Sequence, residues 1–269
     1  MIIPYEPDYY QPSGNPVVRI GRHCLKGLRA VGRALLMAVQ AFCFIPLFYK
    51  GRAEISRQMY VAGLCSVGVT SAVALMTGMI LCLQTGLFLR DYGQEMRVGT
   101  LVAQAMCREM GPLMTALILA ASVGSAMAAQ LGTMAVSEEV AALEVMSINP
   151  VRFLVMPRLL AMLFMCPVLT VYTNIIGILG GGLVASTQLD VAWAAYYDNV
   201  LFMLHAKEIW IGVIKALIFA VIIVTIACFQ GFSAREGAVG VGNATRKTVV
   251  FSFLSILITG YFVTRLMYD

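Results

Sequence analysis

Residues 137–158, SEEVAALEVMSINPVRFLVMPR, form a charged island between two long hydrophobic segments, and the nature of that island decides how the rest of the chain is read. Ser137 is of a type that caps helices, Glu138 and Glu139 suit a helix's positive first turn, and Asn149-Pro150 is a stop signal roughly a dozen residues on. A helix that short cannot cross a bilayer, which takes about 20 apolar residues. Val140, Leu143 and Ser147 share one side of it and Glu139, Ala142 and Met146 another, so it is apolar enough to dock and acidic enough to face water. Spacing alone leaves two readings: a contact surface, or a loop helix resting on the membrane.

The composition outside the island narrows the class. Hydrophobic residues make up 60% of the chain and charged residues 12%, with a mean hydropathy of +0.84. Soluble domains carry about a quarter charged residues, so this is an integral membrane protein. Its 269 residues supply five or six helical spans with short connections and leave no room for a separate soluble catalytic domain. The seven cysteines are scattered, with no C-x-x-C pair and no nearby histidine, and read as small core residues; no metal site is expected. The opening MIIPYEPDYYQPSGNP lacks the basic start, apolar run and cleavage site of a removable signal peptide.

Residues 1–17 read as an irregular tail. Arg19, Arg22, Lys26, Arg29 and Arg33 then recur at steps of three and four, with Ile20, Cys24, Leu28, Val31 and Leu35 on another face. This predicts a basic amphipathic helix lying on an anionic cytoplasmic leaflet; its apolar face and membrane context argue against a nucleic-acid arm. The apolar run Ala34 to Phe48, with Pro46 inside it, is short for a span and reads as interfacial or re-entrant. Spans are expected over about 61–89, 101–136, 159–184, 209–229 and 249–267, so that residues 1–54 form the tail and interfacial helix and 55–269 the membrane domain. In the second span Ala116, Ala120, Gly124, Ala128 and Gly132 form a ridge of small residues that lets another helix approach closely. Residues 186–208, with Trp193, Tyr196 and Tyr197, suit a helix on the outer side. Residues 231–247 read as a glycine-rich polar loop.

Charge asymmetry sets the expected orientation. Eight Lys/Arg precede the first span, Arg152 and Arg158 lie in the island, and Arg235, Arg246 and Lys247 in the last loop, whereas the opposite loops hold Arg90, Arg97 and Lys207. An N-terminus inside, a C-terminus outside and a cytoplasmic island satisfy the positive-inside tendency.

Three separated motifs now stand in order: Arg108-Glu109-Met110-Gly111-Pro112; Glu139 through Ala142-Leu143, Met146, Ile148, Pro150 and Val155 to Pro157-Arg158; and Gly240-Val241-Gly242 with Ala244-Thr245 and Val249-Val250. From about Ile55 onward the chain resembles the MlaE/YrbE family of permeases, the membrane subunits of MCE-associated ABC lipid transporters. The resemblance implies an all-α integral membrane protein of five transmembrane helices preceded by an interfacial helix, with the island as a cytoplasmic coupling helix between spans 2 and 3. It further implies a homodimer in the bacterial inner membrane, a separate cytoplasmic ATPase that binds ATP and Mg, and a periplasmic MCE-domain protein expected as a hexamer. A small STAS-type cytoplasmic subunit is compatible with it, and phospholipid is the expected cargo.

The island's chemistry suits that role. The chain has no G-x-x-x-x-G-K-[ST] of its own, so it is not expected to be an enzyme, and the work of ATP hydrolysis must arrive through a rigid contact. Glu138, Glu139 and Glu144 are candidates for pairing with basic residues of the ATPase, and Leu143 and Met146 for filling its groove; solvation is the simpler reading for Glu138. For the lipid, the resemblance points to Arg108 and Glu109 together with Leu81, Gln84, Phe88 and Tyr92, whose spacing places them along one face. Without the resemblance, Leu81 and Phe88 read as ordinary packing residues.

Two positions depart from the family. Ser122 and Gln130 stand where many members carry Arg and Glu, which reads as a charge pair replaced by a neutral polar pair. Lys215, inside the fourth span, reads as snorkelling to the outer interface, although its position also matches the family. An intramembrane enzyme is disfavoured, since His23 and His205 both lie outside the spans and no acidic pair occurs at membrane depth, so no catalytic residue is named. The competing reading is an ATP-independent secondary carrier or channel.

Overall fold

The computed structural model describes residues 16–44, 52–204 and 206–268, and among these every regular element is helical. Of the tail expected over residues 1–17, residues 1–15 lie outside the described residues, as does the end of the apolar run after Phe44, whereas Pro16 and Val17 already belong to a helix. Among the described residues five helical segments are long and apolar enough to cross a membrane: Arg52–Arg90, Glu95–Val136, Val151–Gln188, Ala206–Phe232 and Gly237–Met267. The molecule is an all-α, multi-pass membrane protein.

Helix α1, Pro16–Cys43, carries the basic segment and the apolar run as far as Cys43 in one piece. Met37 and Ala41 seat it on the bundle, while Leu28, Val31, Leu35 and Val39 remain exposed. The first span is α2, Arg52–Ala62, followed after Gly63 by α3, Leu64–Arg90. Along α3 the buried residues up to Gly86 are Ser66, Thr70, Ala74, Gly78, Cys82 and Gly86, a row small enough for the third span to press against it. At Gly78 a Cβ would overlap the Gly177 carbonyl of that span, so the two backbones are in direct contact there.

The second span is α4, Val98–Ala105, α5, Gly111–Leu119, and α6, Ser125–Val136, joined by π-helical turns at Met106–Met110 and Ala120–Gly124. The third is α8, Met156–Gln188, entered through a π turn at Val151–Val155. Two of these wide turns end two residues before a proline, Pro112 or Pro157. A proline ring clashes with the carbonyl four residues earlier, and an extra residue in the preceding turn relieves that clash. The middle turn has no proline; there Ser122 hydrogen-bonds back to the Ile118 carbonyl at 2.7 Å. This turn also keeps the small-residue ridge in line. A four-residue repeat drifts by about 40° per step on an ideal α-helix, and one additional residue recovers about 100°. Ala116, Ala120, Gly124, Ala128 and Gly132 are accordingly all buried, Gly124 against Ile223 and Gly132 against Ala234 and Val241.

The fourth and fifth spans are α10, Ala206–Phe232, and α11, Gly237–Tyr268. The expected polar loop over 231–247 shrinks to residues 233–236, and Gly237 to Lys247 are helical. Polar composition misled here, because the segment continues an amphipathic helix beyond the apolar stretch: Ala244 and Thr248 are buried while Arg246 and Lys247 are exposed. Gly240 is required at this corner, since a Cβ there would overlap the Arg235 carbonyl. Likewise the Gly180-Gly181-Gly182 run does not end the third span but lies within α8. It receives α9, Trp193–Met203, whose fully buried Tyr196 donates to the Ile178 carbonyl at 3.0 Å. Burial pushes the Tyr196 phenol up in pKa, which keeps it a donor.

The described residues bury three apolar clusters. The largest, on the island side, joins α1, α2, α5, α6, the π turn before α8, α8 itself, α10 and α11; a second joins α3, α4, α8 and α9 at the opposite end; and a small third holds Ile55 of α2 against Met156 and Leu160 of α8.

Candidate functional site

The opposite end holds a charge network that begins with Pro112. Proline has no N–H, so the carbonyl four residues earlier, that of Arg108, loses its helical donor. Lys215 Nζ takes its place, donating to Arg108 O at 2.7 Å, to Glu109 Oε1 at 2.7 Å and to Thr264 Oγ1 at 2.8 Å. These are all three donors of an ammonium group. Lys215 is 1% exposed and held by spans 2 and 5, so it does not snorkel as expected. A buried cation with this many partners is stable in place, whereas a lone one in apolar surroundings is not.

Arg108 and Glu109, adjacent in sequence, both reach α10. Arg108 Nε donates to Glu208 Oε2 and Nη2 to Oε1, each at 2.6 Å, a two-pronged pair. With its amide oriented so that the oxygen faces the guanidinium, Gln104 accepts from Arg108 as well. The result is a pair of opposed ion pairs, Arg108–Glu208 and Glu109–Lys215, bracing spans 2 and 4, with Thr264 of span 5 donating to Glu109 at 2.8 Å. Glu208 and Thr264 escape a reading of the sequence by spans. The available signal is that Glu208 and Lys215 stand seven residues apart on one helix, two turns, with charges opposite to those of Arg108 and Glu109.

The other lipid candidates are distributed differently. Gln84 and Phe88 on α3 and Tyr92 in the turn after it form an exposed row, with the Phe88 and Tyr92 rings 5.2 Å apart, whereas Leu81 is half-buried against the second core cluster. The partners of the Glu109 carboxylate are Lys215 and Thr264, not this row.

At the island, α7 spans Glu139–Val145, seven residues, shorter than expected. Ser137 does not cap it. Ser137 closes α6 by donating its N–H to the Thr133 carbonyl, and Glu138 in the left-handed region (φ 60°) stands at the N-cap position. The helix ends before Asn149-Pro150 because Ser147 turns left-handed (φ 62°), with Ile148 N–H donating to Leu143 O and Ser147 N–H to Glu144 O, both at 2.9 Å. This is a Schellman ending with serine where glycine is usual. Asn149 instead opens the third span, its Oδ1 accepting the Val151 N–H at 3.0 Å.

Val140 and Leu143 anchor α7 on the island-side core, so Leu143 faces its own chain and not outward. Met146 is 60% and Val145 86% exposed, and Glu138, Glu139 and Glu144 are exposed too. A cleft beside the island is lined by Arg33 and Met37 of α1, Val140 and Glu144 of α7, and Phe229 and Phe232 of α10.

Ser122 and Gln130 do not form the neutral pair expected. Ser122 bonds within its own helix, and Gln130 Oε1 accepts from Arg158 Nη2 at 3.3 Å. Arg158, 5% exposed, also donates to Leu154 O at 2.7 Å, and its buried Nε has no hydrogen-bond partner. It links the two legs of the island, α6 and α8. Among the described residues no group of three or more His, Cys, Asp or Glu is placed to hold a metal.

Five membrane-length helices among the described residues, an exposed helix between two of them and a charge brace at the far end define a multi-pass membrane protein. Residues 55–266 match the family described as Permease MlaE, and the chain belongs to that family. A probable ABC transporter permease protein of Rickettsia prowazekii is 35% identical over 252 residues, covering 93% of this chain and 96% of the relative. The intermembrane phospholipid transport system permease protein MlaE of Haemophilus influenzae is 34% identical, covering 94% and 98% respectively. A probable ABC transporter permease protein of Synechocystis is 32% identical, covering 88% and 90%.

Proposed function

We propose that this chain is the permease subunit of an ABC transporter that moves phospholipids between the bacterial inner membrane and periplasmic MCE-domain proteins. A separate cytoplasmic ATPase supplies the energy and binds ATP and Mg. The observation that carries this reading is α7: it is held by Val140 and Leu143 to the core that α6, α8 and α10 share, while Val145, Met146 and three glutamates face outward. A helix anchored to three spans transmits an applied push as a rigid piece. Val145 and Met146 supply its apolar contact with the ATPase, Glu139 and Glu144 its charged rim, and Glu138 stands at its N-terminal edge.

The island end faces the cytoplasm in this reading, together with the N-terminus, the exposed Arg246 and Lys247, and the basic face of α1; the C-terminus is periplasmic. The Arg108–Glu109 brace then lies toward the periplasm, where phospholipid passes to the MCE protein. The exposed row Gln84, Phe88 and Tyr92, with Leu81 at its edge, supplies an apolar wall that a second copy of the chain completes in a homodimer. Reconstitution in liposomes with the co-expressed ATPase tests the reading: lipid exchange should require both the ATPase and ATP. Exchange by the chain alone would favour the carrier instead.

A further inference from the structure

The two ion pairs of the brace differ in how they can open. Lys215 is fully buried and all three of its donors are taken, one of them by a backbone oxygen that no rotamer change can move. The Arg108–Glu208 pair is built from a guanidinium side chain that is 26% exposed and a carboxylate in the first turn of α10. That turn lies two turns ahead of Lys215, whose ammonium group bonds the Arg108 carbonyl and not its guanidinium. Glu208 also fills the Nε–Nη2 edge of Arg108 with two oxygens at 2.6 Å. The same edge accepts two oxygens of a phosphate in the same side-on geometry.

Pulling Glu208 away with nothing in its place would take the bidentate carboxylate from a guanidinium that is only 26% exposed, which is strongly unfavourable. Exchanging one two-oxygen anion for another keeps the guanidinium paired throughout. We propose that Glu208 is a resident counter-anion that the phosphate of a lipid headgroup displaces from Arg108, and that its return expels the headgroup. Glu208 thereby determines specificity: it excludes lipids without an anionic phosphate, which cannot compete for the fork, and it holds phospholipid affinity low enough for release. This inference rests on the phospholipid reading above.

The test uses the permease assembled with its ATPase in nanodiscs and two fluorescent probes with the same acyl chains, one phosphatidylglycerol and one diacylglycerol. Glu208→Gln keeps the shape of the side chain and removes its charge. It should tighten phosphatidylglycerol binding roughly tenfold, the equivalent of one charge-assisted hydrogen bond, and slow ATP-driven lipid release. Arg108→Gln should weaken phosphatidylglycerol binding by a similar factor, and the double variant should match Arg108→Gln. Diacylglycerol binding should be the same in all four proteins, and millimolar inorganic phosphate should not displace the lipid probe. Unchanged phosphatidylglycerol affinity in Glu208→Gln, with the loss retained in Arg108→Gln, overturns the proposal and leaves the phospholipid reading standing. Unchanged affinity in Arg108→Gln removes Arg108 from the lipid path, and displacement by inorganic phosphate would make this a free-anion site; either overturns the proposal. Should Glu208→Gln fail to assemble, Glu208→Asp keeps the charge but shortens the reach, and it should tighten phosphatidylglycerol binding by a smaller factor; no tightening overturns the proposal.

Discussion

Lys215 Nζ donates to the backbone carbonyl of Arg108 at 2.7 Å, the acceptor that Pro112 leaves without a helical partner. A side chain on span 4 thus repairs a backbone defect in span 2, and the same ammonium neutralises Glu109. Lys215→Met should lower stability by about 3 kcal/mol, the usual consequence of leaving a carboxylate and a buried carbonyl without their partner. In a Pro112→Ala background, where a backbone N–H returns to the carbonyl, the loss should be smaller. A double-mutant cycle on thermal unfolding in detergent measures the difference, and additive effects would break the link between the two residues.

The island separates anchoring from contact. Val145→Asp with Met146→Asp changes side chains that are largely exposed, so insertion and thermal stability should stay within about 0.5 kcal/mol of the parent. Association with the ATPase should be lost in a pull-down. Leu143→Asp should instead lower the melting temperature even without the ATPase, because Leu143 packs on the core. An ATPase retained by the Val145/Met146 variant would remove α7 from the contact.

The contact between α3 and α8 depends on the absence of a side chain at Gly78. Gly78→Ala would place its methyl on the Gly177 carbonyl, forcing the helices apart at a cost of about 1–3 kcal/mol. Gly68→Ala, on the same helix and with no atom within reach of a Cβ, serves as the control and should be neutral or slightly stabilising. Equal melting temperatures for the two variants would contradict the close approach.

Arg158 is a buried cation whose contact with α6 is a neutral amide 3.3 Å away. Gln130→Glu supplies a charged acceptor on the same atom and should raise stability by about 1–3 kcal/mol, tightening the two legs of the island. Thermal unfolding of the purified chain checks it, and a lower melting temperature would show that desolvating the new carboxylate outweighs the pairing.

Some features were legible because they are local. The basic run in α1 and the small-residue ridge of span 2 are repeats within one helix, and periodicity alone exposes them. The ends of α7 were not legible: its termination depends on a non-glycine residue, Ser147, adopting positive φ, and nothing in its side chain announces that. Asn149-Pro150 was a true signal assigned to the wrong helix, since the residues that stop one helix also start the next. The loop expected up to Lys247 failed for a related reason. Polarity marks exposure, and the exposed face of a helix that extends beyond the apolar stretch is as polar as a loop.

By itself the sequence determined an all-helical membrane protein with five apolar stretches, a charged segment between the second and third, and charges at Arg108, Glu109 and Lys215 that required an explanation. Those properties follow from composition and from repeats shorter than one helix. Only the tertiary structure decided which charges meet. Arg108 and Glu208 are 100 residues apart, and Glu109 and Lys215 are 106 apart. Their pairing is set by spans 2 and 4 packing side by side through buried small residues, and by a proline that freed one carbonyl for a distant lysine.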